Sequence, residues 1–250
     1  MTEPAKKVSQ NDGHWLSVDP MDWNTGTSDA LCIACDWGFS HDHAAMVTGG
    51  IWASRGVPHV GIINLHRFPH ETAPTDVLNA IAEELGSLPA IRQPAVVLDA
   101  RNNIPMLHAA LGMGLPVVGV SATNAAVHAT RPSSHPVPAV GRAAHIWSLS
   151  RNALVEDVIA HLGGSLLHIT DKAQASSVLR DEMSSLDREI TDSGNIRYRT
   201  QSGAHDDVLM AMASVIWALS NISFVNAAAG IRSRRTAGGL GAHVSADGWT

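Results

Sequence analysis

Cysteine is scarce in this chain, with two residues in 250, and no apolar stretch reaches the roughly 18 residues that a membrane-spanning helix needs. A disulfide framework and a transmembrane segment are therefore not expected. The opening MTEPAKKVSQNDGHW is polar and lacks the basic start and apolar run of a secretory signal, so the expected compartment is cytoplasmic. No Gly-x-x-x-x-Gly-Lys-[Ser/Thr] loop occurs, and ATP hydrolysis by this polypeptide is not expected, because nothing would cradle the nucleotide phosphates. There is no internal repeat. What is present, 45% hydrophobic residues over 250 positions, suits one globular domain with a substantial core.

Basic residues are also few: 17 Lys and Arg stand against 23 Asp and Glu, for a net charge of -6. Neutralising phosphates with Lys and Arg supplies most non-specific affinity for DNA, so any grip on nucleic acid by this chain alone should be weak. Fourteen histidines would change that balance only below neutral pH. Cys32 and Cys35 lie three apart in an apolar segment with no second pair to complete a zinc site, and read as buried, inert thiols.

The chain divides into a polar tail or linker at 1–28, a body at 29–223, and a Gly, Ala and Ser-rich tail at 224–250 that carries Arg232, Arg234 and Arg235. Within the body, the apolar run Ala30 to Cys35 reads as a buried strand ending at Asp36. Ala44 to Ala53 and Pro58 to Phe68, separated by the turn-prone Ser54-Arg55-Gly56, read as the next two strands of an antiparallel meander. Thr75 is the expected N-cap of a helix through Val77, Leu78, Ile81, Ala82 and Leu85. Ala95 to Leu98 is a strand ending at Asp99, followed by a helix near Pro105 to Leu111 and a strand at Val117 to Val120. Residues 121–145 hold three prolines and no clear period, as in a long loop. Helices at Arg151 to Leu162 and Ala175 to Leu186, a hairpin at Ile190 to Thr200, and an amphipathic helix from about Asp206 to Ser220 complete the order. Three strands followed by alternating helices and strands predict a mixed α/β sheet.

Acidic residues stand at the ends of these elements. Asp36 ends the first strand, Asp42 precedes the second, Asp99 ends the strand after the first helix, and Asp206 and Asp207 open the last helix. Carboxylates from different strands can converge where neighbouring strands end side by side, and such a cluster is costly without cations because each charge opposes ionisation of the next. Hard oxygen donors suit Mg²⁺ or Mn²⁺ rather than zinc. Two such ions would activate a water on one side of a phosphodiester and stabilise the leaving oxygen on the other. Taken singly, Asp206 or Asp207 would also serve as an ordinary helix cap. His41 and His43 flank Asp42, and on a strand both would face away from it, which argues against a three-ligand site in that tripeptide.

The motifs CIACDWGFSHDHAAMV at 32–47, AVVLDARNN at 95–103 and GAHDDVLMAMASVIWAL at 203–219 resemble those of the nuclease domains of tailed-phage terminase large subunits, and the likeness extends over residues 30–220. The resemblance implies a ribonuclease-H-like mixed β-sheet, an antiparallel meander plus parallel strands, flanked by helices. It also implies cutting of double-stranded viral DNA during genome packaging. Carried over residue by residue, it assigns catalysis to Asp36, Asp99 and Asp207 and metal binding to Asp36, Asp99, Asp206 and Asp207. Asp42 is a secondary ligand, and His205 and Arg101 are supporting residues. Two Mg²⁺ or Mn²⁺ ions, double-stranded DNA, a packaging ATPase and a portal are the implied cofactors and partners, in the cytoplasm of a host cell if the protein is viral.

The sequence departs from that pattern in two places. No ATPase motor precedes the domain, so the chain reads as an excised domain or as a nuclease beside a separate motor. Asp99 is followed by Ala-Arg-Asn-Asn-Ile-Pro where relatives place glycines, and Arg101 there would contact a phosphate or pair with a site carboxylate. Two other readings stand beside the packaging nuclease: a different polynucleotidyl transferase on the same fold, such as a Holliday-junction resolvase, and a non-catalytic docking module of the packaging motor.

Overall fold

A computed structural model describes residues 30–37, 43–88, 94–101, 103–125, 127–170, 175–191, 196–201 and 204–231. The apolar run at the start folds as β1 (Ala30–Asp36), and the meander continues through β2 (Ala45–Ser54) and β3 (Val57–Arg67). Then come α1 (Pro74–Ser87), β4 (Ala95–Asp99), α2 (Ile104–Gly112), β5 (Val117–Thr123), β6 (Ser133–Val137), a 3₁₀ turn at Pro138–Val140 and β7 (Arg142–Ser150). The chain closes with α3 (Arg151–Gly163), β8 (Leu167–Ile169), α4 (Ser176–Ser184), β9 (Leu186–Ile190), β10 (Ile196–Thr200), α5 (Asp207–Ser220) and α6 (Ile222–Ala229).

One eight-stranded sheet has the order β6-β7-β5-β4-β1-β2-β3-β8, and β9 and β10 pair as a separate antiparallel hairpin. β1, β2 and β3 are antiparallel to one another, whereas β1, β4, β5 and β7 run parallel. This is the mixed, helix-flanked sheet expected from the order of elements. Side-chain alternation divides β1 between two cores: Cys32 and Ala34 pack on the face covered by α3 and α5, Ile33 and Cys35 on the face covered by α1 and α2. The two thiols therefore point to opposite faces, and both are free and buried. Burial pushes both thiols up, and at Cys35 the charges of Asp36 and Asp99 push further.

Several expectations change in the folded chain. Residues 121–145 are not one long loop: β5 runs on to Thr123, and β6 pairs with β7 from Ser133 to Val137. Prolines hid this strand, and Pro136 is tolerated because β6 lies at the sheet edge, where a missing N–H breaks no ladder on the outer side. Residues 224–229, expected in a tail, belong to α6, which buries Val225 and Ala229. The cluster Arg232, Arg234, Arg235 and residues 1–28 lie outside the described residues. The first helix is capped by Ala73, with Pro74 at its start, instead of by Thr75; proline's fixed φ and missing donor are harmless there. The helix expected to reach Leu186 ends at Ser184, and Leu186 opens β9.

The last long helix is not amphipathic. Every residue from Asp207 to Leu219 is buried, because α5 runs against β1 and β2 and is covered by α3 and α4. Its one mid-helix hydroxyl, Ser214, donates to the Met210 carbonyl 2.9 Å away, so the all-round apolar surface carries no stranded polar group there. Among the described residues no single helix is long and apolar enough to cross a membrane. The approach of α5 to the sheet is set by Gly49, where a Cβ would stand 2.7 Å from Val215 Cγ1 and 2.9 Å from the Gly61 carbonyl oxygen. Gly49→Ala is expected to cost about 1–3 kcal/mol as helix and strand are forced apart. A urea midpoint equal to that of the wild type would show that the approach is looser than this.

Candidate active site

The register of β1 against β4 decides where the acids meet. Cys35 stands beside Leu98 in the parallel pair, so the next residues, Asp36 and Asp99, emerge together where the two strands end. Alternation turns both towards the α5 face: Ala34 and Val97, two residues earlier on each strand, pack in the core beneath that helix. The N-terminus of α5 arrives at the same place with Asp206 and Asp207. Asp36, Asp99, Asp206, Arg101 and Arg151 line one open cleft, floored by Val120 and Met210.

The electrostatics record the crowding. Burial, followed by the charges of Asp99, Asp207 and Asp206, holds the Asp36 carboxyl well above the usual carboxylate range, and Arg101 opposes the shift. Asp99 is raised as well, chiefly by burial, against the pull of the Arg101 backbone N–H, which donates to Asp99 Oδ1 at 3.0 Å, and of the Arg101 charge. Arginine supplies the compensation. Arg151 opens α3 and donates to the Asp206 carboxylate with one nitrogen and to the Tyr198 carbonyl, 2.6 Å away, with another. Arg67 at the end of β3 lies 3.6 Å from Asp207 Oδ2, which also accepts the His43 backbone N–H at 3.3 Å.

Asp36, Asp99 and Asp206 thus share the cleft, whereas Asp207, 6% exposed, meets Arg67 and the His43 amide while its charge weighs on Asp36 more than that of Asp206. Arg101 lines the cleft. His205 packs its ring edge-on against His43, with centroids 6.0 Å apart. Asp42 and His41 lie outside the described residues. β2 begins only at Ala45, so His43 precedes the strand and the alternation expected of His41 and His43 does not reach it.

Sequence reasoning missed two partners of these acids, Arg67 and Arg151, and one residue that holds the helix carrying two of them, Glu182. Glu182 is buried on α4 and accepts two backbone N–H groups of α5, from Val208 at 3.3 Å and Leu209 at 2.7 Å. A signal for it existed: Ser176, Leu179 and Glu182 recur at helical spacing and share the buried stripe of α4, and a buried carboxylate calls for a partner. Arg67 and Arg151 had none, because their partners lie far away in sequence.

In donor chemistry, Asp36 and Asp99 fit a divalent cation: two carboxylates on one face, each hindered from ionising by its surroundings, form a set that a hard cation would relieve. Among the described residues no three His, Cys, Asp or Glu side chains are arranged to hold one ion as they stand. The third acid of the cleft, Asp206, is engaged by Arg151.

No protein-family model matches the sequence, and no curated protein matches it. Solved structures do match. The human cytomegalovirus terminase nuclease domain superposes with a TM-score of 0.58 at 12% identity, covering 88% of this chain and 97% of that one. The fold is that of the terminase nuclease domains. The large terminase nuclease of thermophilic phage G20c with bound cobalt matches with a TM-score of 0.50 at 17% identity, over 75% of this chain and 80% of that one. A manganese-soaked form of the cytomegalovirus terminase nuclease domain gives 0.50 at 10% identity, over 78% and 85%. The terminase-nuclease fold agrees with the resemblance read from the three sequence motifs, and in this chain those motifs supply the β1 end, the β4 end and the α5 start.

Proposed function

We propose that this protein is a metal-dependent endonuclease that cuts double-stranded viral DNA during genome packaging. The observation that carries the reading is the parallel β1–β4 register, which sets Asp36 beside Asp99 under the N-terminus of α5. Asp36, Asp99 and one or both of Asp206 and Asp207 would hold the cations; cobalt bound in a structure of the same fold supports a metal-dependent activity. Bound there, two Mg²⁺ or Mn²⁺ ions would supply activation of a water on one side of the phosphodiester and stabilisation of the leaving oxygen on the other. The chain's own residues position and balance charge: Arg101, which lines the cleft, would meet a phosphate, and Arg151 neutralises Asp206. With its net charge of -6 the chain is a poor DNA binder alone, which suits delivery of the duplex by a packaging ATPase docked at a portal.

Purified protein is expected to nick and linearise supercoiled plasmid with Mg²⁺ or Mn²⁺ and to lose all cutting in EDTA. Cleavage that persists in EDTA, or a folded protein that cuts with neither metal, would overturn the proposal. A clear preference for four-way junctions over linear duplex would move the assignment to a resolvase.

A further inference from the structure

We propose that Glu182 is a positioning residue for the acidic cleft: it caps α5 from a neighbouring helix and thereby lets Asp206 line the cleft and Asp207 meet Arg67 and the His43 amide. This inference rests on the metal-site reading above. An aspartate at the position of Asp206, immediately before a helix, ordinarily turns its side chain back to accept the N–H groups of the second and third helical residues. Asp206 makes no such bond. The two donors it would take, Val208 and Leu209, are held by Glu182 Oε1 at 3.3 Å and Oε2 at 2.7 Å. Asp206 is released to line the cleft and meet Arg151, and Asp207 to meet Arg67 and the His43 amide.

The placement of Glu182 is otherwise hard to account for. A carboxylate 4% exposed on the buried stripe of α4 is unfavourable unless hydrogen-bonded, and a hydrocarbon would fill the space at lower cost. Its charge is held at the positive end of the α5 dipole, where a bidentate acceptor fixes the first turn in both direction and rotation. Rotation matters here, because it decides which of two consecutive aspartates points to Asp36 and Asp99. Burial works against the charge and pushes the Glu182 carboxyl up to about 7, with the Leu209 and Val208 N–H groups opposing that shift.

The test is Mn²⁺ titration of the full chain, followed by electron paramagnetic resonance and in parallel by plasmid nicking, for the wild type, Glu182→Gln, Glu182→Asp and Leu179→Ala. Leu179 is a fully buried hydrocarbon side chain on the same helix, so its truncation reports what loosening α4 does by itself. Glu182→Gln is expected to raise the Mn²⁺ midpoint roughly tenfold or more, as loss of an outer partner of metal ligands commonly does, with an unchanged circular dichroism spectrum. Leu179→Ala is expected to lower the melting temperature at least as far while leaving the midpoint in place. Glu182→Asp, which keeps the charge but shortens the reach, should fall between. A wild-type midpoint in Glu182→Gln, or midpoints that follow melting temperature across all variants, overturns the positioning role alone. Absence of Mn²⁺ binding by the wild type overturns the metal-site reading and this inference with it.

Discussion

Asp36→Asn is expected to abolish metal-dependent cleavage and at the same time to make the metal-free protein more stable. The first half follows from position: Asp36 stands at the base of the cleft, beside Asp99 and within the field of Asp206 and Asp207. Removing one charged ligand should cost several kcal/mol of transition-state stabilisation, a loss of about a thousandfold in plasmid nicking. Asp99→Asn should lose a similar amount, and the double variant little more, because ligands of one site act as a unit. The second half follows from the same crowding. Asp36 ionises against burial and three like charges, so a neutral isostere removes a repulsion that the folded state otherwise bears. Each kcal/mol recovered would raise the melting temperature by roughly 2–4 °C in a chain of this size. Scanning calorimetry in EDTA reads this directly. A stable but inactive variant is the signature of a functional acid; lower stability in Asp36→Asn would mean that the carboxylate holds the fold together, and the site assignment would fail.

The metal-free protein is also expected to lose stability as pH rises from about 4.5 to about 7, and divalent cations are expected to restore it most at the upper end. A carboxyl whose folded pKa lies above its unfolded value binds its proton more tightly when folded. Its favourable contribution is complete below the unfolded value and disappears as pH climbs through the folded one. Glu182 rises from the ordinary glutamate value of 4.5 to about 7, a loss on the order of 3 kcal/mol across that window. Asp36 and Asp99 are raised as well and act in the same direction. A cation in the cleft binds the ionised acids of the folded state, and at a hundred times its dissociation constant adds about 2.7 kcal/mol, or roughly 5–10 °C. Melting curves with EDTA and with Mn²⁺ at pH 5 and pH 8 should therefore diverge as pH rises. Equal metal-induced shifts at both values, or a metal-free stability that climbs with pH, would contradict the raised carboxyls.

Much of the fold was legible because strand and helix periods differ. The apolar run at Ala30–Asp36, the meander either side of Ser54-Arg55-Gly56 and the helix at Arg151 all stand where pattern and turn residues placed them. The misses have a common cause. At Pro136 and around α6, tertiary placement overrode local preference: an edge position excused the proline, and packing of Val225 and Ala229 gave an Ala-rich segment a helix to belong to. α5 was misread as amphipathic because a sequence shows how apolar a helix is, not how many neighbours surround it.

By itself, then, the sequence determined which acids end which elements, since a strand or helix boundary is a local matter of pattern and caps. It also determined that both thiols are buried, because a spacing of three in an apolar strand turns one to each core. Only the tertiary structure decided that Asp36 and Asp99 are neighbours, through the parallel register of β1 and β4. It likewise brought Asp206 to the cleft lining and Asp207 to Arg67, with Arg151 and Arg67 meeting these acids from 55 and 140 residues away and Glu182 holding the first turn of α5 from 26 and 27 residues away. The physical reason is range: propensity and periodicity act over a few residues, whereas like charges are brought together, and held together, only by contacts that the folded chain makes across its whole length.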